Sequence, residues 1–436
     1  MSGSERHMLN INIGNKQIGT LGFDTQTEQF SLEYTPDWIA TGFPLSPQLN
    51  FDHKITSLQI STFLKNLLPE NIGLDYLIEH LAVSKNNTFA LIKAIGLDTS
   101  GAVTFSPPDI PLPTTTLRKV TTEELKKRLQ NPDIFPLEVW DNKPRLSVAG
   151  VQSKLNLFMF GDVCGFGEGQ LSSTHIVKFE KNHHHHLVLN EYICMKLAKL
   201  LGFSVAEVSI MNIGTYRALK VQRFDRHFDE KQNRVFRRHV IDTCQALGFP
   251  VSKKYERNLG DSRDVQHIRD GVSLVHLFSL TSLCVNPALA KLDMLHWVLF
   301  NLCISNYDAH GKNYSFFVSK QGLMPTPWYD LVDISLYSQY SQNFAMAIGD
   351  EFSVEDIHAY QLVEFVEECG INKSLLKNSL KSICQSLLDN LDNFTLFGKD
   401  NLTAEELKFV RDLSKNIKDR CLYYLEQAQE LDFIDI

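Results

Sequence analysis

The 436 residues carry a net charge of −8, with 43% hydrophobic and 22% charged residues. That length supports two or three domains with buried cores, and the composition is that of a soluble globular enzyme. The acidic balance excludes a chain that grips nucleic acid through a broadly basic surface, and apolar runs such as Leu295–Phe300 are too short to span a bilayer.

No signal peptide is visible at the start, and a cytoplasmic protein is expected. Strands with alternating polarity are predicted at Leu9–Ile13, Lys16–Leu21 and Phe30–Tyr34, with Gly14-Asn15 as a hairpin turn. Helical patterns follow, including Ser61–Leu68 before Pro69. The Pro-rich stretch Ser106–Pro113 marks a linker, and a short helix begins near Thr122. Arg145–Lys154 runs into a strand at Leu155–Phe160, and Thr174–Phe179 is another. Leu189, Ile193, Leu197, Leu200 and Leu201 stand at helical spacing, with Gly202 as the stop. Arg217–Arg223 returns as a strand. From about Asp242 the pattern is mainly helical. A hairpin, Tyr314–Val318 with Leu323–Tyr329, lies between Asn313 and Asp330. Eight cysteines without CxxC spacing read as buried free thiols.

Phosphoryl transfer from ATP needs a carboxylate to orient the attacking hydroxyl, and oxygen ligands that hold Mg2+ against the phosphates. Protein kinases supply these as an Asp, an Asn five residues on, and a second Asp after a hairpin. Asp308, Asn313 and Asp330 repeat that order. A D-x4-N pair alone is weak; the pair after an apolar helix and before a hairpin ending on Asp is much stronger. Lys178, on a strand, stands where kinases place the phosphate-binding lysine. Glu191, on the next helix, is its candidate partner, against the plainer reading of a solvated lysine and a surface glutamate. Ser147–Lys154 offers Gly150 and successive backbone N–H groups as a phosphate cover. Gly165–Gly169 resembles a glycine-rich phosphate loop, but no helix opens after it and a hairpin loop is expected. Gln222 and Phe224 either meet the adenine or simply pack at a strand end. Consecutive side chains in His183–His186 point apart, so a solvated loop is expected there rather than a metal site.

Taken together, Arg145–Gln152, Asn190-Glu191-Tyr192, Val221–Arg226, Asp308–Asn313 and Tyr329-Asp330 resemble the HipA kinases of bacterial HipBA toxin–antitoxin modules. Asn66–Pro69 and Gly101–Thr104 fit as well. The resemblance implies an α+β, protein-kinase-like bilobal fold: an N-terminal β-rich subdomain (1–112), a kinase-like N-lobe (113–226) and an all-helical C-lobe (227–436). It implies a Ser/Thr protein kinase with Asp308 catalytic and Asn313 and Asp330 on Mg2+. ATP would be held by Val148, Ala149, Gly150, Val151, Gln152, Lys178, Gln222, Phe224, His310, Lys312, Asn313 and Asp330. Ser147 would be an autophosphorylation site whose modification switches the kinase off. The implied substrate is an aminoacyl-tRNA synthetase, such as glutamyl-tRNA synthetase, and the implied outcome is growth arrest and persistence. The implied partner is a HipB-like helix-turn-helix antitoxin, with operator DNA contacted mainly through it. Two other readings stand beside this one. Asp308-x-His310-x-x-Asn313 also matches a pattern of phosphoinositide kinases, which suggests a lipid or small-molecule substrate. The chain could alternatively be a silent co-repressor scaffold, although an intact Lys178, Asp308, Asn313 and Asp330 set speaks against that.

Overall fold

The computed structural model describes residues 6–111, 113–132, 134–137, 139–141, 143–145, 153–180, 185–391 and 402–434. The chain divides into two compact units. The first comprises Met1–Lys181, Ser209–Val251 and Phe316–Leu323; the second comprises Asn182–Val208, Ser252–Ser315 and Met324–Ile436.

In the first unit the early alternation becomes an antiparallel sheet. Its strands are Arg6–Ile13, Lys16–Asp24, Gln29–Tyr34 and Val103–Ser106, and the first lies between the second and the fourth. Gly14, at φ +61°, makes the predicted hairpin turn in a region that suits glycine. Alternate side chains Leu9, Ile11, Ile18 and Leu21 are buried. The helix Ser57–Leu67 packs against this sheet. It opens with a capping box in which Thr56 and Gln59 satisfy each other's backbone N–H groups.

A six-stranded sheet follows in the order Val208–Ile213, Tyr216–Gln222, His175–Phe179, Lys154–Phe160, Val163–Glu168, Thr116–Lys119. Leu155, Leu157, Val177 and Phe179 point to one face and pack with Trp140, Leu125 and Phe166. The edge strand Thr116–Lys119, just after the Pro-rich stretch, explains the glycines that suggested a loop. Gly165–Glu168 lies within a strand, and a Cβ on Gly165 would stand 2.3 Å from the Arg118 carbonyl oxygen. These glycines permit close strand approach, and the turn itself falls at Gly161, φ +55°.

Two of the matched motifs lock together in this unit. Arg223 grips Asp225 through two bonds of 3.0 and 2.9 Å, and Arg226 reaches the same carboxylate at 2.5 Å. The Gly101 N–H donates to Asp225 at 3.1 Å, while Arg226 donates to the carbonyls of Gly101 and Thr99. Burial alone would raise the Asp225 pKa; the two guanidiniums outweigh it and hold the carboxyl below its ordinary value.

The second unit is mainly helical, with Leu187–Leu200, Pro287–Cys303, Ala359–Glu368, Lys373–Leu391 and Ala404–Glu430. The part of the chain expected to be all-helical also carries short strands. Among them are Arg234–Arg237, Asn343–Ile348 with Glu351–Ser353, and the expected hairpin, here Ser315–Ser319 with Gly322–Pro325. Pro325 and Pro327 end the second arm of that hairpin early, because proline cannot donate to a ladder. All eight cysteines are free thiols, seven of them buried. Among the described residues no helix is long and apolar enough to cross a membrane.

Candidate active site

The helix Pro287–Cys303 buries most of its length, starts with an Asn286 cap and proline at its first turn, and ends where Ser305 takes φ +53°. This sharp exit projects Asn306, whose side chain joins two loops. Its Nδ2 donates to Asn301 Oδ1 at 2.7 Å and to the Asp330 carbonyl at 3.3 Å, while its Oδ1 accepts from the Asp308 N–H at 3.3 Å. Asp330 itself sits at φ +55°, a left-handed conformation that aspartate tolerates better than most residues.

Asn313 closes the turn. Its Nδ2 donates to the Asp308 carbonyl at 2.8 Å, and its N–H donates to the His310 carbonyl at 2.8 Å. The structure therefore brings Asp308, Asn313 and Asp330 together through backbone-directed bonds. Asp308 is half-buried, and its Oδ1 accepts a 2.5 Å bond from the Tyr255 hydroxyl. The Tyr255 ring meets His310 edge-on at 4.9 Å, and the Gly311 N–H donates to the Lys254 carbonyl. Tyr255 and Asn306 were missed in the sequence. Tyr255 is remote from the motif, and Asn306 stands two residues before Asp308 with nothing in its spacing to single it out.

His310 is buried; its Nδ1 accepts from the Lys312 N–H at 3.2 Å, which leaves the ring proton on Nε2. Burial first, and then the charges of Lys254 and Lys312, push its pKa well below the ordinary value, so the ring is neutral. The Lys312 carbonyl accepts from Tyr329, whose hydroxyl also pairs with Ser315 at 2.6 Å. Beneath the site, Asp293 accepts from Tyr314 at 2.5 Å and from Trp328 at 3.1 Å, fixing both ends of the segment between Asn313 and Asp330.

The other expected residues divide as follows. Lys178, 7% exposed, is paired across strands with Lys154, 8% exposed. Residues directly opposite in an antiparallel pair share a face, so both ammonium groups lie on the face away from the apolar core. Glu191 is buried on the helix Leu187–Leu200. Its neighbour Asn190 donates to the Asp333 carbonyl at 2.8 Å and accepts from the Asp333 N–H at 2.9 Å. Gln222 is exposed, and its register opposite His175 puts its side chain on the face opposite Lys178. Phe224 meets Phe317 edge-on at 5.9 Å. Ser147, Val148, Ala149, Gly150, Val151 and Gln152 lie outside the described residues, as do His183 and His184.

Two family models match this chain: the HipA N-terminal domain over residues 9–106 and the HipA-like C-terminal domain over residues 146–391. The chain belongs to the HipA family. The serine/threonine-protein kinase toxin HipA of Shewanella oneidensis is 52% identical over 436 residues, the whole of both chains. The protein Y4mE of Sinorhizobium fredii is 31% identical over 330 residues, 74% of this chain and 76% of its own. Among solved structures, HipA in the Shewanella oneidensis MR-1 complex of HipA, HipB and operator DNA superimposes with a TM-score of 0.92 at 52% identity. The match covers 98% of this chain and 100% of that one. This HipA-family chain is thus an enzyme, a serine/threonine-protein kinase of mixed α and β structure.

Proposed function

We propose that this HipA-family kinase transfers the γ-phosphoryl group of ATP to a serine or threonine hydroxyl of a protein, with Asp308 orienting that hydroxyl and accepting its proton. The observation that carries the reading is the pair of asparagine tethers. Asn306 bonds to the backbone of both Asp308 and Asp330, and Asn313 bonds to the Asp308 carbonyl, so three oxygen-bearing groups are preset for transfer.

The donor chemistry suits Mg2+. With its Nδ2 committed to Asp308, Asn313 has its amide oxygen left as a ligand, and Asp330 supplies a carboxylate; both are hard oxygen donors. When bound there, Mg2+ would neutralise phosphate charge. Lys178, with Lys154 opposite it on the same sheet face, is proposed to contact the ATP phosphates. In the same reading His310 and Lys312 complete the nucleotide site, Phe224 borders the adenine, and Gln222 reaches it only through its backbone. Val148–Gln152 would cover the phosphates, and Glu191 is proposed to position Lys178. The divisions 1–112, 113–226 and 227–436 are proposed as the N-terminal subdomain, N-lobe and C-lobe.

The Shewanella relatives extend the reading to a toxin–antitoxin module. The partner would be a HipB-like helix-turn-helix antitoxin, and operator DNA would be reached mainly through it, in keeping with the net charge of −8. The substrate class proposed is an aminoacyl-tRNA synthetase, glutamyl-tRNA synthetase first, with growth arrest and persistence as the result. Phosphorylation of Ser147 would add nearly two negative charges beside ATP and switch the enzyme off. The test is peptide mass spectrometry after incubation with Mg2+ and ATP, for wild type and Asp308→Gln. Phosphate on Ser147 and on added synthetase with wild type, and on neither with Asp308→Gln, is expected. ATP-binding wild type that phosphorylates lipid or a metabolite and no protein would overturn it.

A further inference from the structure

Three cysteines far apart in sequence meet in the second unit. Cys303 ends the helix Pro287–Cys303, Cys384 lies in Lys373–Leu391, and Cys421 lies in Ala404–Glu430; these helices pack on one another. All three are fully buried, their sulfurs lie within 4.8 Å of one another, and Cys303 Sγ stands 3.6 Å from Cys384 Sγ. Sulfurs bound to a single ion at about 2.3 Å sit roughly 4 Å apart, so this triangle is already close to ligand geometry.

An unsatisfied polar group lies on the same helix as Cys421. Tyr424, one turn along from Cys421, is fully buried, and its hydroxyl has no hydrogen-bond partner. Burial first, and then the charge of Cys303, keep its proton on.

We propose that Cys303, Cys384 and Cys421 form a binding site for a thiophilic d10 cation, Zn2+ or Cu+, taken up as the three helices close. Cu+ accepts three sulfurs as they stand, whereas Zn2+ needs a fourth donor. The buried complex stays uncharged if Zn2+ displaces two thiol protons or Cu+ displaces one. Because Cys303 ends the helix that delivers Asn306 and Asp308, the ion would fasten the root of the catalytic turn.

The test uses full-length protein purified anaerobically with reductant. Bound metal is measured by elemental mass spectrometry. The stripped protein is then titrated with Co2+, a spectroscopic substitute for Zn2+, and separately with Cu+ against a chromogenic chelator. Uptake of one equivalent of either ion is expected, with thiolate-to-cobalt charge transfer in the Co2+ arm and a higher unfolding temperature once loaded. Cys384→Ala and the gentler Cys421→Ser should lose uptake, while Cys244→Ala, a buried thiol elsewhere, keeps it; ATP binding confirms that each variant is folded. The proposal falls if folded, reduced wild type takes up neither ion, or if folded Cys384→Ala takes it up as wild type does. A Cys303–Cys384 disulfide that persists in the presence of reductant also overturns it.

Discussion

Asn306 carries more of the site than its neutral side chain suggests. Asn306→Ala removes bonds to Asp308 and Asp330 at once and strands Asn301 Oδ1 in a buried setting. Single-turnover kinetics should show phosphoryl transfer slowed about a hundredfold, the scale expected when reacting groups lose fixed positions. Tyr255→Phe tests the other contact. The hydroxyl holds one oxygen of the Asp308 carboxylate, so its loss should lower kcat about tenfold and leave the KM for ATP unchanged. An equal rise in the KM for ATP would mean that Tyr255 serves the nucleotide instead. Asp308, Asn313 and Asp330 were legible because kinase chemistry constrains their spacing along a short stretch of chain. Tyr255 and the three converging cysteines were not, because their proximity is set by how distant segments pack, and no local pattern records that.

At the level of elements, strand positions and the Gly14 turn follow from alternation and turn chemistry, and the structure reproduces them. The glycines at 165 and 167 misled because glycine permits both a loop and a close strand approach; only the edge strand Thr116–Lys119 decides between them. Asp225 joins the first sheet's Gly101 turn to the strand end at Arg223. Asp225→Asn should cost about 3–5 kcal/mol, since it leaves two buried guanidiniums without their counter-charge. Urea unfolding would read this as a lower midpoint. A loss under about 1 kcal/mol would show that Asp98, also near Arg226, carries the charge instead.

Across the whole molecule, buried histidines set the acid limit. His239 donates through Nε2 to the Leu45 carbonyl, its Nδ1 has no partner, and burial pushes its pKa down to about 4. Burial and Lys220 bring His175 to about 4 as well. An imidazole with a depressed folded pKa binds fewer protons folded than unfolded. Its stability contribution is therefore intact above about pH 6.5 and is lost as pH falls toward 4. By pH 5 His239 alone should account for about 2 kcal/mol of lost stability. Thermal melts of wild type should decline from pH 7 to pH 5, and His239→Gln should flatten that decline. Parallel curves for the two proteins would remove His239 as the cause.

The chain passes between its two units five times, at Lys181/Asn182, Val208/Ser209, Val251/Ser252, Ser315/Phe316 and Leu323/Met324. On the ribosome, the N-terminal unit therefore cannot be completed until Leu323 has emerged, and by then the turn bearing Asp308 is already synthesised. A nascent fragment that stops before Leu323 holds neither unit whole, and any product that stops later still lacks part of the second. Under the proposed toxin role, this interleaving would confine activity to full-length molecules and leave no active half to be released.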